Sequence, residues 1–236
     1  MYTRLALSIA CGLAVCAPSQ AETFDTALGA IDVSMNATLA TDYIWRGQSQ
    51  TDGAGAIQGG LDIAHESGLY IGTWASNVDA DDFGGSSVEI DYYAGFTSDI
   101  TDALSYDLQW ATYTFPKNSD ITAEELLASL SFYGLTVGAK YTYDPEVALY
   151  TYVDYGFDLP YGFGLGLHYG STDTKDPLDG VSGDSRYNDW AVILGRTVVG
   201  LDLALMYSDT DLGDDCGYQS SSSCGSNMTF SASKSF

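Results

Sequence analysis

Carboxylates recur along this chain at alternating positions. Asp32, Asp42, Asp62, Glu89, Asp91, Asp107, Glu125, Asp154, Asp189 and Asp202 stand mostly between apolar neighbours, and Arg46, Lys140, His168 and Arg196 hold similar places. Gathered on one surface, such groups attract cations and repel anions. Paired with one another instead, they cross-link and close an interior.

Three other groups invite chemistry. His65-Glu66-Ser67 places a histidine two residues from a serine, as some lipid hydrolases do. The sequence offers no matching third member and no oxyanion donor, so turn chemistry is favoured. Asp79, Asp81 and Asp82, then Asp173, Asp176, Asp179 and Asp184, then Asp209, Asp211, Asp214 and Asp215 make polar stretches rich in acid. They could bridge lipopolysaccharide through divalent cations. Their spacing does not match a calcium-binding loop, so no metal site is assigned and no cofactor is implied. Cys216 and Cys224 bracket a short polar segment, and in an exported chain they are expected to form a disulfide closing a small loop.

The elements that must position these groups read as strands. From Ile31 the odd positions run Ile31, Val33, Met35, Ala37, Leu39, Thr41, Tyr43, Trp45, and the even positions run from Asp32 to Arg46 with mostly polar residues. Successive strand side chains point to opposite faces, so one face is oily and one is wet. Twelve segments follow this rule. Val88, Ile90, Tyr92 and Phe96 oppose Glu89, Asp91 and Tyr93. Leu126, Leu130 and Phe132 oppose Glu125, although the segment around Ala123–Ala128 is also a good helix former. Trp190, Val192 and Leu194 are read as opposing Asp189 and Arg196. Gly162, Gly164 and Gly166 share an inner strip that makes room or lets an aromatic such as Tyr93 or Tyr152 lie against the wall.

A soluble sandwich also alternates. Aromatic residues at the ends of the apolar faces, and tight turns alternating with long loops, point to a membrane barrel instead. About ten residues at ~3.3 Å each, tilted roughly 45°, cross an apolar band of the right height. The expected fold is therefore an all-β, transmembrane, antiparallel up-and-down β-barrel of about twelve strands. Its backbone diameter would be roughly 24 Å, leaving on the order of 10 Å inside unless loops fold in.

Composition agrees. The chain carries 32 Asp and Glu against 8 Lys and Arg, which argues against nucleic acid as a partner. Arg4, the apolar run Leu5 to Ala17 and the Ser19-x-Ala21 end describe a secretory signal peptide over residues 1–21. Residues 22–30 then form a short periplasmic segment, and 31–236 the barrel.

Ala40 to Asp79, "ATDYIWRGQSQTDGAGAIQGGLDIAHESGLYIGTWASNVD", resembles the TorF family of proteobacterial porins. The resemblance rests on Asp42-Tyr43, Arg46-Gly47, Ser49-Gln50-Thr51, Gln58-Gly59-Gly60, the His65–Gly68 turn and Trp74-Ala75-Ser76-Asn77. It extends more loosely through "VEIDYYAGF". It implies an outer-membrane barrel rather than an enzyme, with Phe236 as the terminal aromatic that barrel-assembly machinery reads. The polar face would then line a lumen for small hydrophilic solutes or cations, with lipid and lipopolysaccharide outside. Arg46 is expected at the outer rim, reaching Asp42 or Glu89, with Trp45 at the lipid boundary. The competing expectation is a non-conducting barrel that acts through its acidic outer loops in adhesion or ion binding. Oligomeric state is not legible.

Overall fold

In the computed structural model, residues 21–174, 186–212 and 223–236 are described. The signal-peptide reading of residues 1–20, Cys216, and loop acids such as Asp176 and Asp214 lie outside them.

The strands are β1 Glu22–Thr26, β2 Gly29–Ala40, β3 Ile44–Trp45, β4 Gln48–Ser49, β5 Ala56–His65, β6 Leu69–Asn77, β7 Val88–Asp99, β8 Leu104–Thr114, β9 Ala123–Phe132, β10 Leu135–Asp144, β11 Ala148–Leu159, β12 Phe163–Thr174, β13 Arg186–Val198, β14 Leu201–Thr210 and β15 Asn227–Ser235. From β5 to β15 each strand pairs antiparallel with its neighbour in sequence, and β2 pairs with both β5 and β15. The sheet closes as a twelve-stranded up-and-down barrel. Ala123–Phe132 is a strand despite its helix-forming composition, because ladders on both sides satisfy its backbone and set Leu126 and Leu130 on one face.

The closing seam is short. Asn36–Ala40 pairs with Ser231–Ser235, and Met35 exchanges backbone bonds of 3.1 and 2.8 Å with Phe236. Below that point β1 takes over the same edge of β2, matching Glu22 with Val33 and Thr26 with Gly29. Residues 22–30, expected as a simple leading segment, thus extend the barrel wall at the turn end. Without β1 the lower edge of β2 would present unpaired backbone groups.

The two faces invert the order of a water-soluble protein. Ile57 is 71 % exposed and Leu39 62 %, whereas Asp91 and Asp189 are each 2 % exposed. Apolar side chains cover the outside and charged ones fill the inside, which is stable only when the outside meets hydrocarbon. Aromatics ring both borders of this band. Near the long loops lie Trp110, whose indole donates to the Tyr143 hydroxyl at 2.9 Å, and Trp190 beside Tyr207. Near the tight turns lie Phe96 with Tyr106, and Phe132 with Tyr133.

Inside, tyrosines lie flat on glycines. A Cβ at Gly72 would stand 2.3 Å from the Tyr93 ring, and one at Gly138 would stand 2.4 Å from Tyr152. The glycines expected to receive these rings were Gly162, Gly164 and Gly166. Of these, Gly162 and Gly164 have nothing within 4 Å of the added atom, and Gly166 meets Ile193 at 3.4 Å. The rings instead lie over glycines opposite them in the ladder, since Gly72 pairs with Tyr93 and Gly138 with Tyr152.

Candidate functional site: the lumen and its inward loop

The alternation that begins at Ile31 does not continue along the wall to Trp45. The β2 ladder stops at Ala40, and residues 41–55 turn into the barrel. Arg46 and Gly47 both have positive φ, 48° and 78°, and join Trp45 to its ladder partner Gln48. Two positive-φ residues make the tight hairpin turn whose twist suits antiparallel strands. Gly47 also needs its missing side chain, because a Cβ would fall 2.5 Å from Thr210 and 2.7 Å from Asp189.

The hairpin spans the lumen. Tyr43 packs edge-on to Trp74 at 5.4 Å and beside Ala111 and Tyr113. Ile44 turns the other way, onto Ala191, Ile193, Ala204 and Met206 of β13 and β14. Asp42 holds the base of the loop, accepting from the hydroxyls of Ser49 at 2.6 Å and Thr51 at 2.8 Å. The backbone of Ser49 donates to Ser223 at 2.7 Å, and that of Asp79 donates to Gln50 at 2.9 Å. Gln48 donates to the Tyr187 hydroxyl at 2.9 Å.

Arg46 anchors the tip. Its guanidinium donates to Glu125 Oε1 at 2.5 Å, with both side chains buried. Glu125 also accepts from Thr142 at 2.6 Å and Tyr113 at 2.8 Å. The guanidinium lies 4.2 Å from the Trp45 ring centre and 4.5 Å from that of Tyr150. A planar cation between two rings and a carboxylate suits arginine better than lysine. The expected rim contact to Asp42 or Glu89 is corrected: the partner is Glu125, inside. Trp45 is a ring on this cation rather than a lipid-boundary anchor, and Tyr43 lies beside Glu89.

The remaining predicted residues fall into place by height. Glu89, Asp91, Glu125 and Asp189 sit buried near the long-loop end. His168 bridges two acids, with Nδ1 2.6 Å from Asp154 and Nε2 2.9 Å from Asp189, and the Tyr150 hydroxyl is 2.8 Å from Nε2. Lys140 faces Tyr152 at 6.0 Å. Lower down, Tyr93 donates to Asp62 at 2.5 Å, and Tyr70 donates to Asp107 at 2.9 Å. Asp202 accepts from Thr197 at 2.6 Å. Asp32 is exposed at the turn-end mouth and accepts from Thr23 of β1 at 2.5 Å.

Arg196 is not on the inner wall. It shares parity with Trp190, Val192 and Leu194, pairs directly with Phe163, and lies 5.0 Å from that ring on the outer surface. Its place near the turn end of β13 lets its long stem lie on apolar surface while the charge reaches the interface. His65 serves its turn: Nδ1 is 2.8 Å from the Ser67 hydroxyl and Nε2 is 2.9 Å from the Leu28 carbonyl. Cys224 is fully buried, and its expected partner lies outside the described residues. Among the described residues no cluster of metal-binding side chains occurs.

Tyr93 and Tyr152 were expected inside, but much of the lumen's aromatic share was missed. Tyr70, Tyr113, Tyr150 and Tyr187 all meet charged or polar partners inside. Their signal was present: Tyr113, Tyr150 and Tyr187 lie on the carboxylate-bearing parity of their strands, and Tyr70 lies opposite Leu69 and Ile71.

Residues 25–236 match a family described as "Bacterial protein of unknown function (Gcw_chp)". No curated protein matches the chain. The NanC porin shares the fold with a TM-score of 0.56 at 8% identity, covering 85% of this chain and 97% of its own. The KdgM porin does so with a TM-score of 0.53 at 10% identity, over 86% and 99%. A second KdgM structure, in complex with disordered oligogalacturonate, gives a TM-score of 0.52 at 9% identity, over 86% and 99%.

Proposed function

We propose that this chain, which belongs to the Gcw_chp family of bacterial proteins, is an outer-membrane diffusion channel for small hydrophilic solutes, cation-preferring and narrowed by its own inward loop. The observation that carries the reading is the closed barrel with hydrocarbon-seeking side chains outside and carboxylates inside. The porin fold of NanC and KdgM and the TorF-like stretch at 40–79 support it.

Cation preference follows from the charge balance. Arg46 is paired with Glu125, and His168 lies between two aspartates. Asp62 accepts from the Tyr93 hydroxyl and Asp107 from the Tyr70 hydroxyl, both neutral. Residues 1–21 act as the export signal, Phe236 presents the last strand for assembly, and Cys216 with Cys224 tie the last long loop. A second reading, a closed barrel acting through its acidic loops, is favoured by one observation: Tyr43 is 2 % and Ser49 0 % exposed at the crossing.

Swelling of proteoliposomes separates the two. Vesicles carrying the folded protein should swell in an isosmotic small sugar such as arabinose faster than protein-free vesicles, and should exclude a trisaccharide. Swelling no faster than that of protein-free vesicles with every solute would remove the channel reading and leave the closed barrel.

A further inference from the structure

Four consecutive strands carry a row of side chains across the turn-end half of the lumen: Asp62 on β5, Tyr93 on β7, Tyr70 on β6 and Asp107 on β8. The tyrosines cross over. Tyr93 of β7 lies on Gly72 of β6, and Tyr70 of β6 lies on Gly95 of β7, where a Cβ would meet its ring at 2.4 Å. The rings meet at 6.4 Å and 62°. Each hydroxyl donates to the flanking carboxylate, which fixes ring and acid together. Gln109 donates to the Tyr70 hydroxyl at 3.0 Å and locks that end further.

All four residues are only half-buried, unlike the packed loop above them. Six strands round the barrel the opposite wall is bare. Cβ atoms at Gly156 and Gly164 would meet nothing within 4 Å. One pair up from Gly156, Asp154 is 3 % exposed and keeps Oδ2 without a hydrogen-bond partner. A buried oxygen of this kind calls for water or a cation. Among the described residues no cation pairs with Asp62 or Asp107.

From this arrangement we propose that the Asp62–Tyr93–Tyr70–Asp107 row is a binding site for organic ammonium solutes. It rests on the channel reading and names the substrate class. Ring faces held against a glycine floor attract a cation with methyl or methylene surface, and flanking carboxylates supply the charge. An inorganic ion gains less from the rings, because it keeps its water. A polyanionic sugar meets the wrong sign, since the lumen's Arg46 is already held by Glu125.

The test is calorimetric titration of tetramethylammonium chloride into the folded full-length barrel in detergent, against sodium chloride at equal strength. Saturable binding is expected, about tenfold weaker after Asp62→Asn with Asp107→Asn, and weakened similarly by Tyr70→Leu with Tyr93→Leu. Each variant is first checked for the heat-resistant folded form. The conservative pair Tyr70→Phe and Tyr93→Phe should keep part of the affinity, because the ring faces remain. No saturable heat with tetramethylammonium, or equal binding by the double-Asn variant, would overturn the site. This readout does not require conduction. A barrel that passes solutes without binding the probe contradicts the site alone, and one that binds the probe without passing solutes contradicts the channel alone.

Discussion

Replacing Arg46 by alanine should release the loop from the lumen and raise single-channel conductance several-fold. The substitution removes the bond to Glu125 and the ring contacts with Trp45 and Tyr150, and strands a buried carboxylate. Breaking a buried pair from one side costs about 3–5 kcal/mol. Here that cost falls on the inward position of the loop, because the wall ladders of β2 and β9 do not involve Arg46. The turn adds to the effect, since a non-glycine residue at φ 48° is held there by its contacts. Loop and wall can be read separately. Chymotrypsin should cut at Tyr43 or Trp45 in the variant and spare the wild type, while the barrel keeps its heat-resistant mobility. Unchanged conductance with an uncut loop would show that the ion pair does not hold the hairpin.

Changing Glu125 to glutamine should leave the loop nearly in place and weaken the preference for cations. Glutamine can still accept from Arg46, Thr142 and Tyr113, so the hydrogen-bond geometry survives in large part. The charge does not. Arg46, and Lys140 whose charge also acts on Glu125, then lose the carboxylate that offsets them. One negative charge is lost at this height, and potassium passage past it falls relative to chloride. The coupling is measurable. Alanine at both Arg46 and Glu125 should cost less than the sum of the single changes, by roughly 1–3 kcal/mol in the chymotrypsin-accessible fraction. Additive costs would mean that the two residues hold the loop independently.

Much of the barrel is legible in the sequence because lipid and lumen impose opposite chemistry on adjacent residues. Parity alone places Leu126, Leu130 and Phe132 outside and Glu125 inside, even where composition favours helix. The same rule applied strictly puts Arg196 with Trp190, Val192 and Leu194. Its charge drew it to the wrong face, although an arginine near the interface is tolerated outside. Loop lengths gave the strand order, since tight turns at one end and long connections at the other require up-and-down pairing.

The inward hairpin was not legible for a physical reason. Tyr43 and Trp45 alternate with Ile44 and Arg46, as in a wall strand, but here both faces are buried against different lumen walls. Extended chain between two packed surfaces carries the same pattern as a strand between lipid and water. The Arg46-Gly47 pair was the clue to a tight hairpin, and its reach to Glu125 spans 79 positions of sequence. The tyrosine–glycine contacts were half legible. Small residues and aromatic rings were expected to meet, yet which glycine receives which ring depends on ladder register.

The reversal potential of the folded protein in a planar bilayer under a KCl gradient tests the central claim most directly. Discrete conductance steps with a potential on the potassium side are predicted, shrinking when Glu89 and Asp91 are changed to glutamine and asparagine. A potential on the chloride side, or an inserted barrel that passes no current even after Arg46→Ala, would contradict the account.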